Sequence, residues 1–458
     1  MKTRLWKFIR EKMLEHPYQT ICEGNASLTY EELCVFAELH AQKLNSSYYG
    51  ILCNSEMATA MALLACIAAG KVAIPMPARY GREAYSKILE RAQMPTIITD
   101  FGNQLSEMDI YPQPKTRMFP ESTAVVLFTS GSTGEPKGVM LSESNLISNI
   151  EDISSYFSVD KNDTVLISRP LYHSSVMTGE FLLSLCKGAK IVFSSEPFQP
   201  INILSLMKKH EVTVFGSTPT LLSTLSKFVR KESDTYIKKL SISGECMTEG
   251  MAKTIRKAFP NALIYCGYGL SEASPRVAYL PPAVFDKDPT SAGIPLPSVE
   301  LRIVNQNGEE QPNNKIGELL TKGPNVMQCY FRDAERTKAV LKNGWLYTGD
   351  LALRDDNGML YIKGRKDDMI IRAGMNVYPA EIENALSTDK RVESVLCYGY
   401  KVNDTQEIAL IVSGDFANVA EVRDLCREKL PPYQMPQKLR LADKTETLNG
   451  GKKKRKNI

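Results

Sequence analysis

With 458 residues, of which 43% are hydrophobic and 24% charged, the chain has a globular composition and is long enough for two or more domains. Its net charge of +4 is small for that length and gives no reason to expect nucleic acid as a partner. The 10 cysteines contain no Cys-x-x-Cys pair, which is typical of free thiols in a reducing compartment rather than of a disulfide framework.

The N-terminal segment carries charges throughout and does not have the apolar core of a signal peptide. The longest apolar run, residues 57–70, is too short to cross a bilayer and predicts a buried helix instead. We therefore expect a cytoplasmic protein without a membrane span.

Up to about residue 290, short apolar runs alternate with amphipathic helical segments. The predicted strands lie at residues 51–53, 97–99, 124–128, 165–167, 191–193, 212–215 and 263–265. This alternation predicts an α/β fold in which mostly parallel sheets are covered by helices. From about 291 to 364, hairpin turns such as Asn307-Gly308 and Asn357-Gly358 predict a small β-barrel-like subdomain. We place a domain boundary after residue 364, because residues 365–458 have an α+β pattern of their own.

The most informative segment is Thr-Ser-Gly-Ser-Thr-Gly-Glu-Pro-Lys-Gly at residues 129–138. It follows a predicted buried strand and precedes a predicted helix with Ser142 or Ser144 as N-cap. Glycines bring backbone N–H groups close to an anion, while hydroxyls and a lysine ammonium add donors. The segment predicts a phosphate-binding loop, although it lacks the Gly-Lys-Ser/Thr of a Walker loop. A flexible polar turn is the alternative at this point.

Four further segments combine glycines, aromatic rings, carboxylates and cations. They are Tyr-Cys-Gly-Tyr-Gly-Leu-Ser-Glu at 265–272, Tyr-Thr-Gly-Asp at 347–350, Gly-Arg-Lys-Asp-Asp at 364–368 and Gly-Lys-Lys-Lys-Arg at 451–455. In this order and spacing, the segments resemble the signatures of the adenylate-forming superfamily. That superfamily includes acyl-CoA synthetases, peptide-synthetase adenylation domains and luciferases. The resemblance covers nearly the whole chain and is greatest to fatty or aryl acid ligases.

The resemblance implies an ATP site. It assigns phosphate donors to the loop, the adenine surroundings to two glycine turns, and the ribose contacts to an aspartate and an arginine. The phosphate donors are Thr129, Ser130, Gly131, Ser132, Thr133, Gly134 and Lys137. The adenine surroundings are Tyr268, Gly269, Gly244 and Glu245, and the ribose contacts are Asp350 and Arg365.

The resemblance also implies catalytic groups. Ser271 would reach the α-phosphate, and Glu272 would be a Mg²⁺ ligand, with a helix cap as the alternative role. Lys452 would place a cation between the substrate carboxylate and the α-phosphate. Its surroundings match imperfectly, because the segment before it lacks the usual proline and two lysines follow it. The small C-terminal domain would be mobile, with its hinge at Asp367; a static, salt-bridged linker is the alternative.

The acid-binding pocket is expected near His173, which occupies the family's gate position or is a simple packing residue. No acidic residue occurs between positions 169 and 179, so the ammonium of an amino acid would find no partner there. The remaining predicted walls are mostly apolar or small and favour a fatty or aromatic acid; they are Phe215, Gly216, Ser217 and Gly267.

The implied reaction is ATP-dependent ligation of a small carboxylic acid to a thiol through an acyl-adenylate. The thiol would belong to coenzyme A or to the phosphopantetheine of a separate acyl carrier protein. Two alternatives remain at this stage. One is an amino acid adenylation enzyme that loads a separate carrier, and the other is a nucleotide-binding protein that has lost catalysis.

Overall fold

Two large sheets and three small ones organise the described part of the chain. The computed structural model describes residues 3–101, 104–114, 118–130, 135–196, 198–230, 235–372, 375–402 and 405–442. The strands are β1 (Thr20–Glu23), β2 (Ala26–Thr29), β3 (Tyr48–Ile51), β4 (Val72–Pro75), β5 (Thr96–Phe101), β6 (Gln104–Asp109), β7 (Thr123–Ser130), β8 (Pro136–Ser142), β9 (Thr164–Ile167), β10 (Lys190–Phe193), β11 (Val214–Ser217), β12 (Lys239–Ser243), β13 (Leu263–Gly269), β14 (Arg276–Leu280), β15 (Ile294–Pro295), β16 (Glu300–Val304), β17 (Gly317–Lys322), β18 (Cys329–Tyr330), β19 (Leu341–Lys342), β20 (Trp345–Arg354), β21 (Leu360–Arg365), β22 (Ile370–Arg372), β23 (Met375–Val377), β24 (Val392–Val402), β25 (Thr405–Gly414) and β26 (Lys438–Leu441).

Helices cover the sheets. They are α1 (Arg4–Leu14), α2 (Tyr30–Ala41), α3 (Glu56–Ala69), α4 (Arg82–Ala92), α5 (Glu143–Tyr156), α6 (Ser174–Val176), α7 (Leu183–Cys186), α8 (Pro200–Lys209), α9 (Pro219–Ser226), α10 (Glu249–Ala258), α11 (Pro282–Phe285), α12 (Ala334–Val340), α13 (Pro379–Leu386) and α14 (Val419–Lys429). A π-helical segment, Met177–Leu182, joins α6 to α7, and short 3-10 turns include Ser271–Ala273 and Lys366–Asp368.

Sheet 1 has nine strands in the order β15-β14-β13-β12-β11-β9-β10-β1-β2. Its strands from β13 to β1 are all parallel, and the antiparallel pairs lie at the two ends. Sheet 2 has the order β18-β8-β7-β4-β3-β5-β6, with a parallel centre. The prediction of mostly parallel, helix-covered sheets is confirmed.

The glycine-rich segment joins two antiparallel strands of sheet 2. β7 pairs with β8, with Thr129 opposite Lys137 and Ser130 opposite Pro136. The predicted helix with Ser142 as N-cap is confirmed, but β8, which the sequence did not indicate, lies between the loop and that helix. Its Gly138 is tightly enclosed, since an added Cβ would lie 3.0 Å from atoms of Phe128 and Phe331. Helix α5 then begins with Ser142 as N-cap, and the Ser142 hydroxyl accepts from the Asn145 backbone N–H at 3.1 Å.

Three smaller sheets complete the described chain. Sheet 3 contains β16, β17, β19, β20 and β21 in antiparallel hairpins, as expected for the β-rich subdomain. Beyond β21, sheet 4 (β22-β23) and sheet 5 (β24-β25-β26) accompany α13 and α14. The apolar residues of this C-terminal part form a core cluster of their own between Ile370 and Leu441. The predicted fold class is confirmed, while the exact domain bounds and the mobility of the C-terminal domain stay predictions.

The apolar run at 57–70 is a buried helix, as predicted. Twelve of the 14 residues of α3 are buried, and the helix ends at Gly70, whose φ of +67° suits glycine. None of the described helices has both the length and the apolarity of a bilayer span. The 10 cysteines are free thiols, and most of them are buried in these cores.

Helix α3 begins with a buried carboxylate. Glu56 is 6% exposed, its Oε2 accepts from the Leu171 backbone N–H at 2.9 Å, and its Oε1 lies 3.7 Å from Arg79 Nε. Burial raises the pKa of Glu56 to about 7, even though the Leu171 N–H and Arg79 favour the charged form. The folded protein therefore holds this proton more tightly than the unfolded chain does, and the resulting stability is lost as pH rises from about 4.5 to about 7.

Glu56→Gln is expected to stabilise the protein above that pH window, because the amide carries no charge to bury. The free energy of unfolding should rise by about 1–3 kcal/mol near pH 8 and change little near pH 5. Urea unfolding at the two pH values measures this difference. The exposed first-turn residue Glu31 of α2 provides the matched control, Glu31→Gln. An equal effect of Glu56→Gln at both pH values would contradict the assignment.

Candidate active site

The carboxyl ends of three neighbouring parallel strands form the base of the site. β11, β12 and β13 end at Ser217, Ser243 and Gly269, and parallel strands end at the same edge of a sheet. The 3-10 turn Ser271–Ala273 follows β13 at this edge. Lys137 on β8 of sheet 2 contacts Glu272 in that turn, so the two large sheets meet at the site.

Glu272 accepts two hydrogen bonds at one oxygen. Lys137 Nζ and the Tyr330 hydroxyl both donate to its Oε1, the latter at 2.7 Å, and Lys137 also donates to the Tyr330 oxygen at 3.1 Å. Burial favours the neutral acid, but the two donors outweigh it and hold the pKa of Glu272 below its usual range. The carboxylate is therefore ionised at neutral pH. Sequence reasoning missed Tyr330, because the segment around it matches none of the motifs.

Asp350 connects two other predicted residues, Tyr268 and Arg365. The Tyr268 hydroxyl donates to Asp350 Oδ2 at 2.6 Å, and Arg365 Nη1 donates to Oδ1 at 2.9 Å. Asp350 and Arg365 lie opposite each other on β20 and β21, which explains their approach. Burial and the neighbouring carboxylate raise the pKa of Tyr268 well above its usual range, so the hydroxyl remains a donor. Burial also raises the pKa of Asp350, with Arg365 and Tyr268 opposing the rise.

The turn after β13 contacts the predicted gate segment. The Ser271 and Ser174 hydroxyl oxygens are 3.1 Å apart. His173 precedes Ser174, is exposed, and has its ring centroid 4.2 Å from that of Tyr172. The structure therefore brings Ser271 and the gate segment together.

Two of the predicted pocket residues lie on opposite faces of sheet 1. Phe215 aligns with Leu240 and Ile264, and all three belong to the core that packs against α8, α9 and α10. Gly216 is the next residue along the strand and therefore faces the other side. The expectation that Phe215 lines the pocket with Gly216 was wrong for this reason. Ser217 is fully buried, and its Oγ has no hydrogen-bond partner among the described residues.

The glycines of the predicted pocket make room for charged side chains. A Cβ on Gly216 would lie 2.4 Å from the Glu180 carboxyl, and one on Gly267 would lie 1.6 Å from Arg276 Nη1. Glu180 forms an ion pair with Arg169. The expected walls, mostly apolar or small, thus have charged side chains beside them at these two glycines. Sequence reasoning missed these charges, because they come from segments outside the motifs.

The remaining predicted nucleotide residues are only partly within the described chain. The Thr129 Oγ1 is buried and has no described hydrogen-bond partner, and Gly244 has a φ of +96°. Glu245 accepts from the Thr220 hydroxyl at 2.6 Å, and a Cβ on Gly269 would lie 2.0 Å from the Pro275 carbonyl oxygen. Gly131, Ser132, Thr133, Gly134, the Ser130 side chain and Lys452 lie outside the described residues.

Glu272 is the candidate metal ligand. Among the described residues, no group of three or more histidine, cysteine or acidic side chains is placed to hold a metal ion. A lone ionised carboxylate fits Mg²⁺ that takes most of its ligands from phosphates and water. The site therefore fits a metal that arrives with a nucleotide better than a resident metal.

The profile of the family described as AMP-binding enzymes matches residues 9–331. The chain belongs to this family. It is similar to feruloyl-CoA synthase of an Amycolatopsis species, with 28% identity over 98% of this chain and 96% of the relative. A long-chain-fatty-acid–CoA ligase of Haemophilus influenzae is 30% identical over 80% of this chain and 66% of that protein. The solved o-succinylbenzoate CoA synthetase of Bacillus subtilis, in complex with its acyl-adenylate intermediate, is 25% identical with a TM-score of 0.82, over 96% of this chain and 95% of the other.

These similarities confirm the predicted superfamily and the predicted enzyme class, an AMP-forming acid–thiol ligase. The roles of the individual site residues stay predictions.

Asp350→Asn is expected to weaken AMP binding. The amide cannot accept hydrogen bonds from Arg365 and from both ribose hydroxyls, and a hydrogen bond to a charged group contributes about 1.5–3 kcal/mol. The affinity for AMP, measured by calorimetry, should fall roughly tenfold or more. Asp356→Asn, at an exposed position on the following turn, is the matched control.

The same titrations with 2′,3′-dideoxy-AMP test the assigned contact. The unaltered enzyme should bind the dideoxy nucleotide more weakly than AMP, whereas Asp350→Asn should bind the two nucleotides almost equally. If the variant still discriminates between them as the unaltered enzyme does, Asp350 does not hold the ribose.

Proposed function

We propose that this enzyme activates a fatty or aromatic acid with ATP and transfers the acyl group to the thiol of coenzyme A. The observation that carries the proposal is the arrangement around the turn after β13. On one side of the turn, the Glu272 carboxylate is paired with the Lys137 ammonium. On the other side, the Asp350 carboxylate accepts a hydrogen bond from the Tyr268 hydroxyl. One side suits phosphates with their metal ion, and the other suits a nucleoside.

The chemistry explains why both sides are needed. A carboxylate resists nucleophilic attack, because it is negatively charged and has a poor leaving group. In the first step a carboxylate oxygen attacks the α-phosphorus of ATP, and the bond to the β-phosphate oxygen breaks with release of pyrophosphate. In the second step the thiol sulfur attacks the acyl carbon, AMP leaves with the bonding electrons, and the thiol proton passes to solvent. The enzyme must position two anions and stabilise the charge that develops at phosphorus.

The residues of the site divide this work. Asp350 accepts from the ribose hydroxyls, and the bond from Tyr268 to Asp350 fixes the tyrosine ring where it can stack on adenine. Glu272 would hold a Mg²⁺ ion that accompanies the phosphates, and the Ser271 hydroxyl would reach the α-phosphate. Lys137 gives up its hydrogen bond to Glu272 and donates to the β- and γ-phosphates instead. The predicted phosphate-binding loop at 129–134 binds the same phosphates. Magnesium supplies charge neutralisation when it is bound.

The C-terminal domain contributes the second part of the proposal. Lys452 neutralises the repulsion between the substrate carboxylate and the α-phosphate in the first step. Asp367 is exposed in the 3-10 turn directly after β21, at the start of the C-terminal part. We place the hinge there, so that rotation removes Lys452 after the first step and admits the thiol.

The names of relatives support the choice of substrate and acceptor. The relatives described above are named for ferulate and for long-chain fatty acids, and both are CoA ligases. A carrier-protein pantetheine is the alternative acceptor. A reducing compartment such as the cytoplasm suits the free, mostly buried cysteines.

Exchange of labelled pyrophosphate into ATP tests the first step. We expect exchange that depends on a carboxylic acid, across a panel of fatty, aromatic and amino acids, followed by thioester formation when CoA is added. Exchange with amino acids alone would support an adenylation enzyme for a carrier protein. Nucleotide binding without exchange for any acid would contradict the proposed activity.

Lys452→Ala is expected to reduce pyrophosphate exchange by a factor of about 100 or more, since it removes a cation at the reacting centre. Thioester formation from preformed acyl-adenylate and CoA should be largely retained, because that step does not need this cation. Lys453→Ala and Lys454→Ala are the neighbouring controls. Equal loss in both half-reactions would argue against the role given to Lys452.

A further inference from the structure

A buried arginine beside the predicted acid pocket has no partner for its charge. Arg276 is 4% exposed, its Nε is buried without a hydrogen-bond partner, and no described carboxylate pairs with its guanidinium. Burying a charge without a partner is costly, so buried charges are normally paired or serve a function. Arg276 therefore points to a ligand that brings the missing negative charge.

The guanidinium lies beside two glycines, Gly267 of the predicted pocket and Gly179. Its Nη1 occupies the space where a Cβ of Gly267 would be, and Nη2 lies 3.4 Å from the Cβ position of Gly179 on the π-helical segment. Gly267 precedes Gly269 by two residues on β13, which corresponds to about 7 Å along the strand. The charge is thus set back from the turn that carries Ser271 and Glu272. A group held by Arg276 is separated from the reacting carboxylate.

The backbone of Arg276 is held in place by two buried amides. Asn149 accepts from the Arg276 N–H at 3.1 Å and donates to its carbonyl at 2.9 Å, and Asn325 donates to the same carbonyl at 2.9 Å. Asn149 and Asn325 are fully buried. These bonds use the main chain alone and leave the guanidinium free of described polar partners. Asn149 and Asn325 are therefore positioning residues for this side chain.

The neighbouring charges leave a net positive pocket. Arg169 and Glu180 are 9% and 5% exposed and form an ion pair in which the two charges offset each other, while Arg169 Nε and Glu180 Oε2 have no described hydrogen-bond partner. Arg276 adds one uncompensated positive charge on the same face of sheet 1. On that face, the missing side chains of Gly216 and Gly267 leave room for Glu180 and for Arg276, respectively. The buried Oγ1 of Thr178 also has no described partner and adds a polar atom to this layer. The wall therefore favours an anionic group and disfavours an ammonium.

We propose that the enzyme selects carboxylic acids with a second carboxylate, which Arg276 binds through a charge-assisted hydrogen bond at the inner end of the pocket. This inference rests on the proposed function and narrows its substrate class to dicarboxylic acids of the fatty or aromatic type. The second carboxylate supplies the partner that Arg276 lacks in the free enzyme.

Matched acids separate the effect of charge from that of size. Hexanoate, adipate and 6-aminohexanoate share one chain length and end in a methyl, a carboxylate and an ammonium, respectively. Equivalent sets of three acids with a shorter and a longer chain are based on butyrate and octanoate. In pyrophosphate exchange, the dicarboxylate of the best-fitting length should exceed its monocarboxylate in kcat/KM by a factor of about 10–100, as expected for a charged hydrogen bond. The amino acid of that length should be the poorest substrate.

Arg276→Gln should abolish this preference. The variant is expected to lose about 10- to 100-fold in kcat/KM for the dicarboxylate and to change little with the monocarboxylate, whereas Arg276→Lys should retain part of the preference. Arg302→Gln, at an exposed position on β16 of sheet 3, is the matched control. An unchanged affinity for AMP shows that the variant has kept its fold.

A binding measurement tests the Arg276 site independently of the enzymatic activity. The dicarboxylate should raise the Tm of the AMP-bound enzyme, and Arg276→Gln should remove that shift. In the absence of acid, Arg276→Gln should leave Tm unchanged or raise it, whereas a purely structural arginine would lower it. If no acid supports exchange but the dicarboxylate still stabilises the unaltered enzyme and not the variant, the proposed activity fails and the Arg276 site stands. Equal use of mono- and dicarboxylates, with no Arg276-dependent shift in Tm, overturns the inference.

Discussion

The contact between Lys137 and Glu272 is the interaction on which the arrangement of the site depends. Lys137 belongs to sheet 2 and Glu272 follows the last parallel strand of sheet 1, so this pair joins two structural units that are distant in sequence. Tyr330, on the edge strand of sheet 2, donates to the same carboxylate oxygen. Because three polar groups share a buried position, none can be changed without altering the charge state or hydrogen bonding of the others.

The predicted nucleotide side of the site involves sheet 3. Asp350 and Arg365 are cross-strand neighbours in that sheet, and Tyr268 reaches them from the end of β13. The tyrosine therefore links sheet 1 to sheet 3 only a few residues before Glu272 links sheet 1 to sheet 2. A ligand that spans the turn would contact all three sheets, and its binding would then depend on their relative positions.

The local sequence pattern was enough to predict most of the fold and part of the candidate site. Short apolar runs and glycine turns identified many strands of sheet 1 and the hairpins of sheet 3, because these signals depend on neighbouring residues alone. Strand β8 was missed, since its pairing with β7 and its enclosure by Phe331 are long-range contacts. Phe215 was grouped with Gly216 and Ser217 because the strand was predicted to end at Phe215, whereas β11 continues to Ser217, so that successive residues face opposite sides of the sheet. Arg276, Glu180 and Tyr330 carry no local signature and become visible only when the chain has folded.

The glycines at 216 and 267 have a consequence for how such a pocket can change. At each position, the space of one methyl group is occupied by a charged side chain, Glu180 at the first and Arg276 at the second. A glycine-to-alanine exchange would displace that charge without touching the nucleotide contacts. The polarity of the predicted acid pocket thus depends on the absence of a Cβ atom at two positions, so closely similar backbones could bind acids of very different polarity.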